Sequence, residues 1–162
     1  MKSGYQFLFA EIHKQQPGPS NSDLVKPLWQ AIWQMKTPSK VKNLVWRACR
    51  NSLPTKLNLV KQQVITNDRC DLCQSQQEDV HHALYLCPKL TELWQVVPLW
   101  NHSRLKQSDN FMDLLGCIFA ENWDPTLFSM VIWAIWKRRN NLCLGKQAVT
   151  LRQLLQQAKE WV

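Results

Sequence analysis

Residues 68–88 read DRCDLCQSQQEDVHHALYLCP: Cys70 and Cys73 stand two residues apart, and His81, His82 and Cys87 follow. Three thiolates and one imidazole make the full tetrahedral ligand set of a closed structural zinc site, in which the metal holds the fold and does no chemistry. Two intervening residues let a tight turn aim both sulfurs at one ion. The four residues between His82 and Cys87 suit one helical turn or a compact loop. His81 competes with His82 for the third position, because neighbours on a helix point roughly 100° apart and both cannot face one ion. Spacing alone leaves the two histidines open. A redox pair with the same CxxC spacing belongs near a strand–helix–strand pattern, and none is present. The alternative to a metal site is a pair of buried thiols beside polar histidines that bind nothing.

Outward from this segment the chain is written in the helical period. Apolar residues recur three and four apart in Leu28, Ala31, Ile32, Met35; in Val41, Leu44, Val45, Ala48; in Leu90, Leu93, Trp94, Val97; and in Phe111, Leu114, Leu115, Ile118. The pattern predicts an all-α, irregular multi-helix domain with an embedded CCHC zinc knuckle. Pro27, Pro38, Pro54, Pro88 and Pro125 fall near the starts of these segments, where a missing N–H costs nothing. Thr150 and Gln153 form a capping-box pattern ahead of Leu151, Leu154, Leu155 and Ala158. QQPGPSNSD over residues 15–23 reads as a loop behind a short N-terminal helix. A second polar connection, Asn101 to Asn110, separates the cysteine-bearing half from the C-terminal helices.

At 162 residues the chain is long enough for one buried core. Twenty basic against twelve acidic side chains give +8, which makes a polyanion the natural partner class. The six cysteines are too few and too irregular for a disulfide scaffold, so a reducing intracellular compartment, nucleus or cytoplasm, is expected. Cys49, Cys117 and Cys143 lie in apolar helical stretches and read as core. The most apolar run, Leu127 to Trp136, is about half of what a membrane span needs, so no membrane association is expected. No motif for a small-molecule substrate stands out. Nine tryptophans are many for this length. Most read as helix–helix packing, while Trp46, flanked by basic residues, is a candidate for base stacking.

The basic residues gather in two places. Lys36, Lys40, Lys42, Arg47, Arg50 and Lys56 surround the second and third main helices, and with Trp46 they form the candidate nucleic-acid-binding set. Lys137, Arg138 and Arg139 end the tryptophan-rich helix, where cations also oppose the helix dipole.

Taken together, KSGY at Lys2–Tyr5, LWQAIWQMKTPSKVKNLVWRACRNSLPTKLNL at Leu28–Leu59, the 68–88 segment, LW at Leu93–Trp94 and VIWAIWKRRNN at Val131–Asn141 resemble the zinc-binding domain of plant LINE-type, non-LTR retrotransposon reverse transcriptases. The resemblance covers nearly the whole chain. It implies Zn2+ held by Cys70, Cys73, His82 and Cys87, and so selects His82 over His81. Glu78 matches an acidic position of the family. Gln74 departs from it, standing where a glycine often follows the CxxC, and Leu84 and Tyr85 replace a common aromatic pair. The implied organisation is an N-terminal helix remnant over 1–14, the reverse-transcriptase-type zinc-binding domain over 24–100, and a helical segment over 108–162 that would lead toward an RNase H domain.

In that family the polymerase carries paired aspartates that hold divalent metals. This sequence has no Asp-Asp pair and no RNase H acidic cluster, so no enzyme activity is expected. The resemblance further implies a piece severed from a transposon, or a gene derived from one. The expected function is a non-enzymatic zinc-binding domain that binds RNA or single-stranded DNA. The alternative is a protein-interaction module that braces neighbouring domains.

Overall fold

Each of the four predicted apolar stripes contributes buried residues to a helix in the computed structural model, which describes residues 22–162; in the third, only Leu93 and Trp94 lie within the helix, with Leu90 in the turn before it and half-buried Val97 just after. In α1 (Ser22–Gln34) the stripe is Leu28, Ala31 and Ile32, closed by Met35 just past the last turn. In α2 (Ser39–Cys49) it is Val41, Leu44, Val45 and Ala48. A short α3 (Lys56–Lys61) follows, opened by Thr55, whose side chain accepts from the Asn58 amide at 3.3 Å. The chain then loops through residues 62–79 into a π-helical turn (His82–Leu86), a 3-10 turn (Pro88–Leu90) and α4 (Thr91–Val96). A second 3-10 turn (Pro98–Asn101) and α5 (Ser103–Lys106) lead to α6 (Phe111–Ala120), α7 (Pro125–Cys143) and α8 (Leu151–Glu160). Among the described residues there is no strand, only an isolated antiparallel bridge between Arg69 and Gln77. The all-α expectation holds.

Local chemistry sets the helix ends. Asp124 takes the left-handed conformation with φ 49° and accepts from the Leu127 amide at 3.1 Å, while Pro125 supplies the first helical residue of α7. Gly145, at φ +66°, ends that helix, and the Lys146 amide reaches back to the Asn141 carbonyl at 2.8 Å. Thr150 and Gln153 form the predicted capping box. Pro38 caps α2, and Pro54 lies just before the cap of α3. Pro27 departs from the expectation: it sits inside α1, sixth of thirteen residues, where its ring removes one intrahelical hydrogen bond.

Helix α7 is the hub. It packs against α2, α6, α8 and the π turn, and Phe128 to Ile132 are buried at five successive positions, so apolar neighbours surround it. One continuous cluster of buried apolar side chains runs from Leu28 to Ala158, joining the cysteine-bearing half to the C-terminal helices. The 101–110 connection is more structured than its polarity suggested. It contains α5, and Leu105 is fully buried. A chain of buried aromatics ties the π turn to this core: Tyr85 Oη donates to the Trp100 carbonyl at 2.6 Å, Trp94 Nε1 to the Tyr85 carbonyl at 2.9 Å, and Trp100 Nε1 to the Trp123 carbonyl at 2.9 Å.

Several expectations need correction. The loop placed over 15–23 ends earlier, since Ser22 and Asp23 already belong to α1. Helix α7 continues to Cys143, one turn beyond Lys137, Arg138 and Arg139, so these residues do not end it. Cys143 is exposed rather than core, while Cys49 and Cys117 are half-buried. The helix expected over 1–14 and the KSGY motif lie outside the described residues.

Candidate metal centre

The loop after α3 folds back on itself before it meets the π turn. The Cys70 amide donates to the Gln76 carbonyl at 2.9 Å, and the Glu78 amide to the Asp68 carbonyl at 2.8 Å, flanking the Arg69–Gln77 bridge. The reversal needs a left-handed residue directly after the CxxC. Gln74 supplies it at φ 56°, its amide bonded to the Cys70 carbonyl at 2.9 Å. A glutamine there adopts the conformation that glycine takes freely, at a cost of about 1–2 kcal/mol. The departure at position 74 therefore changes the strain and preserves the turn.

The π turn presents His82 to the loop. Asp79 Oδ1 accepts the His82 amide at 2.6 Å, and the Cys87 amide returns to the His82 carbonyl at 3.0 Å, so histidine and final cysteine are locked in one turn. Cys70, Cys73, His82 and Cys87 then bring one ligand atom each to within 4.8 Å of all the others. Cys70 and Cys87 sulfurs are 4.0 Å apart, and Cys73 Sγ lies 3.4 Å from His82 Nε2. Ligands at zinc distances on a tetrahedron would be separated by roughly 3.8 Å for two sulfurs and roughly 3.6 Å for sulfur and nitrogen. The donor set and its spacing fit such an ion.

The neighbours of the ligands support that fit. Gln76 Oε1 can only accept, so His82 Nδ1 donates to it at 3.1 Å and leaves the Nε2 lone pair facing the sulfurs. Ser75 Oγ donates to Cys73 Sγ at 3.3 Å. Burial raises the Cys73 thiol, but the hydrogen bonds from the Ser75 hydroxyl and the Ser75 and Gln76 amides outweigh it and bring the pKa to about 6. Burial raises Cys70, and it pushes Cys87 up to about 12. A divalent cation at the centre is what would let all three ionise together.

His81 points elsewhere. It is buried, its Nε2 pairs with Ser108 Oγ at 3.3 Å, and its Nδ1 has no partner. Adjacent histidines thus meet different partners, His82 beside the three cysteines and His81 beside Ser108, as neighbours roughly 100° apart on a helix allow.

Glu78 is 1% exposed and forms a two-pronged ion pair with Arg139 of α7, with Nε at 3.1 Å from Oε2 and Nη2 on Oε1. Glu78 Oε1 also accepts the Lys56 amide at 3.0 Å, and the Arg139 guanidinium lies 4.9 Å from the Trp136 ring centroid. This pair bolts the metal loop to the central helix. The Arg139 partnership was not foreseen from the sequence, where Arg139 read as one of three cations at the end of the tryptophan-rich helix. A signal existed: Phe128, Ile132, Ile135 and Arg139 continue one stripe at helical spacing.

The candidate nucleic-acid residues divide. Arg47 and Arg50 are exposed on α2, with Arg47 Nη2 on the Ser52 carbonyl at 3.0 Å and the Arg50 guanidinium 5.1 Å from the Trp46 ring centroid. Lys36 is exposed just past α1. Lys42 Nζ donates to the Trp33 carbonyl at 2.9 Å on one flank of α2, while Lys40 reaches the other flank toward Trp133. Lys56 is drawn away to the metal loop, paired with Asp71.

A Cys3His cluster held between a loop and a helical turn, within an all-helical frame, defines a metal-binding module. A family model described as zinc-binding in reverse transcriptase matches residues 1–94, more than half of the chain, and the chain belongs to that family. No curated protein and no solved structure matches it significantly. No helix among the described residues is long and apolar enough to cross a membrane.

Proposed function

We propose that this chain is a non-enzymatic, zinc-stabilised domain, derived from the reverse transcriptase of a plant LINE-type retrotransposon, that binds RNA or single-stranded DNA. The observation that carries the zinc reading is the convergence of Cys70, Cys73, His82 and Cys87 on one point, with His82 oriented by Gln76. When bound, the ion would offset the thiolate charges and pin the loop to the π turn; four protein ligands leave no open position for catalysis.

The nucleic-acid reading rests on the solvent half of α2. With Val41, Leu44, Val45 and Ala48 buried, successive steps of roughly 100° place Lys40, Arg47, Arg50, Trp46 and Lys42 around the opposite arc. A net charge of +8 adds a long-range attraction for phosphate. All six cysteines are free, which suits an intracellular reducing compartment, nucleus or cytoplasm.

The metal is tested by elemental analysis of purified protein with a Cys73→Ser variant. Near one zinc per chain is expected, with a loss of cooperative melting in the variant, because binding energy on the order of 10 kcal/mol is also folding energy in such modules. A metal-free wild type that melts cooperatively contradicts it. Nucleic-acid binding is tested by fluorescence anisotropy across a salt series, where affinity carried by phosphates falls steeply with salt. The competing reading, an inter-domain brace, draws on the exposed Trp33, Val96, Leu99 and Leu144. It predicts self-association by light scattering with no oligonucleotide effect.

A further inference from the structure

Beyond α2, aromatic rings and cations meet again where α7 and α8 diverge. A cleft of about 260 Å3 opens there, walled by Trp133 of α7 and by Trp161 just after α8. The volume lies just under that of pockets for whole drug-sized molecules and suits one flat ring system. Trp161 is 62% exposed, so its ring contributes little to the core. Lys40 Nζ lies 4.3 Å from the Trp133 centroid and 5.5 Å from the Trp161 centroid, so one ammonium serves both rings. Lys137 Nζ is 5.4 Å from Trp133, and Arg138 is held at the rim by its Nε bond to the Val149 carbonyl at 2.8 Å. No acidic side chain lines the cleft among the described residues.

Resting on the nucleic-acid reading above, we propose that this cleft stacks an unpaired base of a single-stranded nucleic acid against Trp133 and Trp161, with Lys40, Lys137 and Arg138 holding the flanking phosphates. Indole faces engage bases whose own faces are free, which a duplex denies them. Cations around the rings, without a carboxylate to neutralise them, supply the phosphate half of the same ligand. Lys40 also belongs to the exposed arc of α2, so a strand leaving the cleft passes directly onto Arg47 and Arg50. Trp133, Trp161, Lys137 and Arg138 lie outside the 1–94 segment matched by the family model, and Lys40 lies within it.

The test is fluorescence anisotropy of the zinc-loaded chain with three labelled probes: a short oligothymidylate, its abasic analogue of equal length, and a duplex. Trp161→Ala removes an exposed ring without opening the core, and an unchanged melting temperature checks this. Expected is about a tenfold loss of affinity for oligothymidylate, no loss for the abasic strand, and an unchanged salt slope, because a ring contact releases no counterion. Trp161→Phe restores most of the affinity. Lys137→Gln weakens both single strands alike and lowers the salt slope by about one. If Trp161→Ala binds oligothymidylate as the wild type does while Arg47→Gln still weakens binding, the cleft proposal falls and the α2 reading stands. If the wild type binds no probe at low salt, both fall. Self-association that Trp161→Ala abolishes and oligonucleotide does not affect overturns the cleft proposal in favour of a protein contact.

Discussion

Cys73 differs from its two cysteine partners in exposure and in acidity. It is half-buried where Cys70 and Cys87 are buried, and its thiol is acidic where theirs are raised. In the metal-free protein it is therefore the thiolate at neutral pH, and the thiolate is the nucleophile. Iodoacetamide labelling followed by mass mapping should find Cys73 modified first, at a rate that climbs through pH 6 and levels off above it, with zinc protecting it. Arg139→Ala leaves the buried Glu78 carboxylate uncompensated and should cost about 3–5 kcal/mol, with Glu78→Ala/Arg139→Ala costing less than the two single changes summed; thermal melts of the set measure it. The grouping of Cys70, Cys73, His82 and Cys87 was legible because metal chemistry restricts both residue type and spacing. Arg139 was not, because its partner lies 61 residues away and a charge run looks the same whether one member is buried or none is.

At the scale of elements, helices with a repeating apolar stripe were readable and those without one were not. The stripes of α1, α2 and α6 repeat over two or more turns, so the period shows in the sequence. Helix α5, four residues long, is below any length that forms alone and exists because Leu105 is buried by its neighbours, whereas the six-residue α4 was foreseen from Leu93 and Trp94. The π turn leaves no period to find, and the 3.6-residue rule cannot anticipate it. Helix α7 lies outside the segment matched by the family model, yet α2 and the π turn both rest on it. A fragment of residues 1–100 should therefore lack a cooperative thermal transition by circular dichroism even with zinc added, whereas the 162-residue chain shows one. A cooperative melt of the fragment would mean that the metal site carries its own core.

Among the described residues, the core and the candidate metal centre are mechanically continuous. The path runs from His82 and Cys87 through Glu78 and Arg139 into α7, and from Tyr85 through Trp94 and Trp100 to the start of the same helix. The all-helical class was legible because burial on one face imposes a period; that continuity was not, since contacts between distant segments leave no local trace in the chain. The basic surface, in contrast, follows from composition alone, and the fold merely decides which cations remain available to solvent. The aromatic path has one more consequence. Tyr85 lies three residues beyond His82, and its carbonyl holds the indole of Trp94, which is 4% exposed beside the 1%-exposed Trp100. Stripping the ion with a chelator should uncoil the turn and let water reach both indoles, shifting their emission to longer wavelength in step with metal release. Such a shift would serve as an optical gauge of metal occupancy, readable without a label.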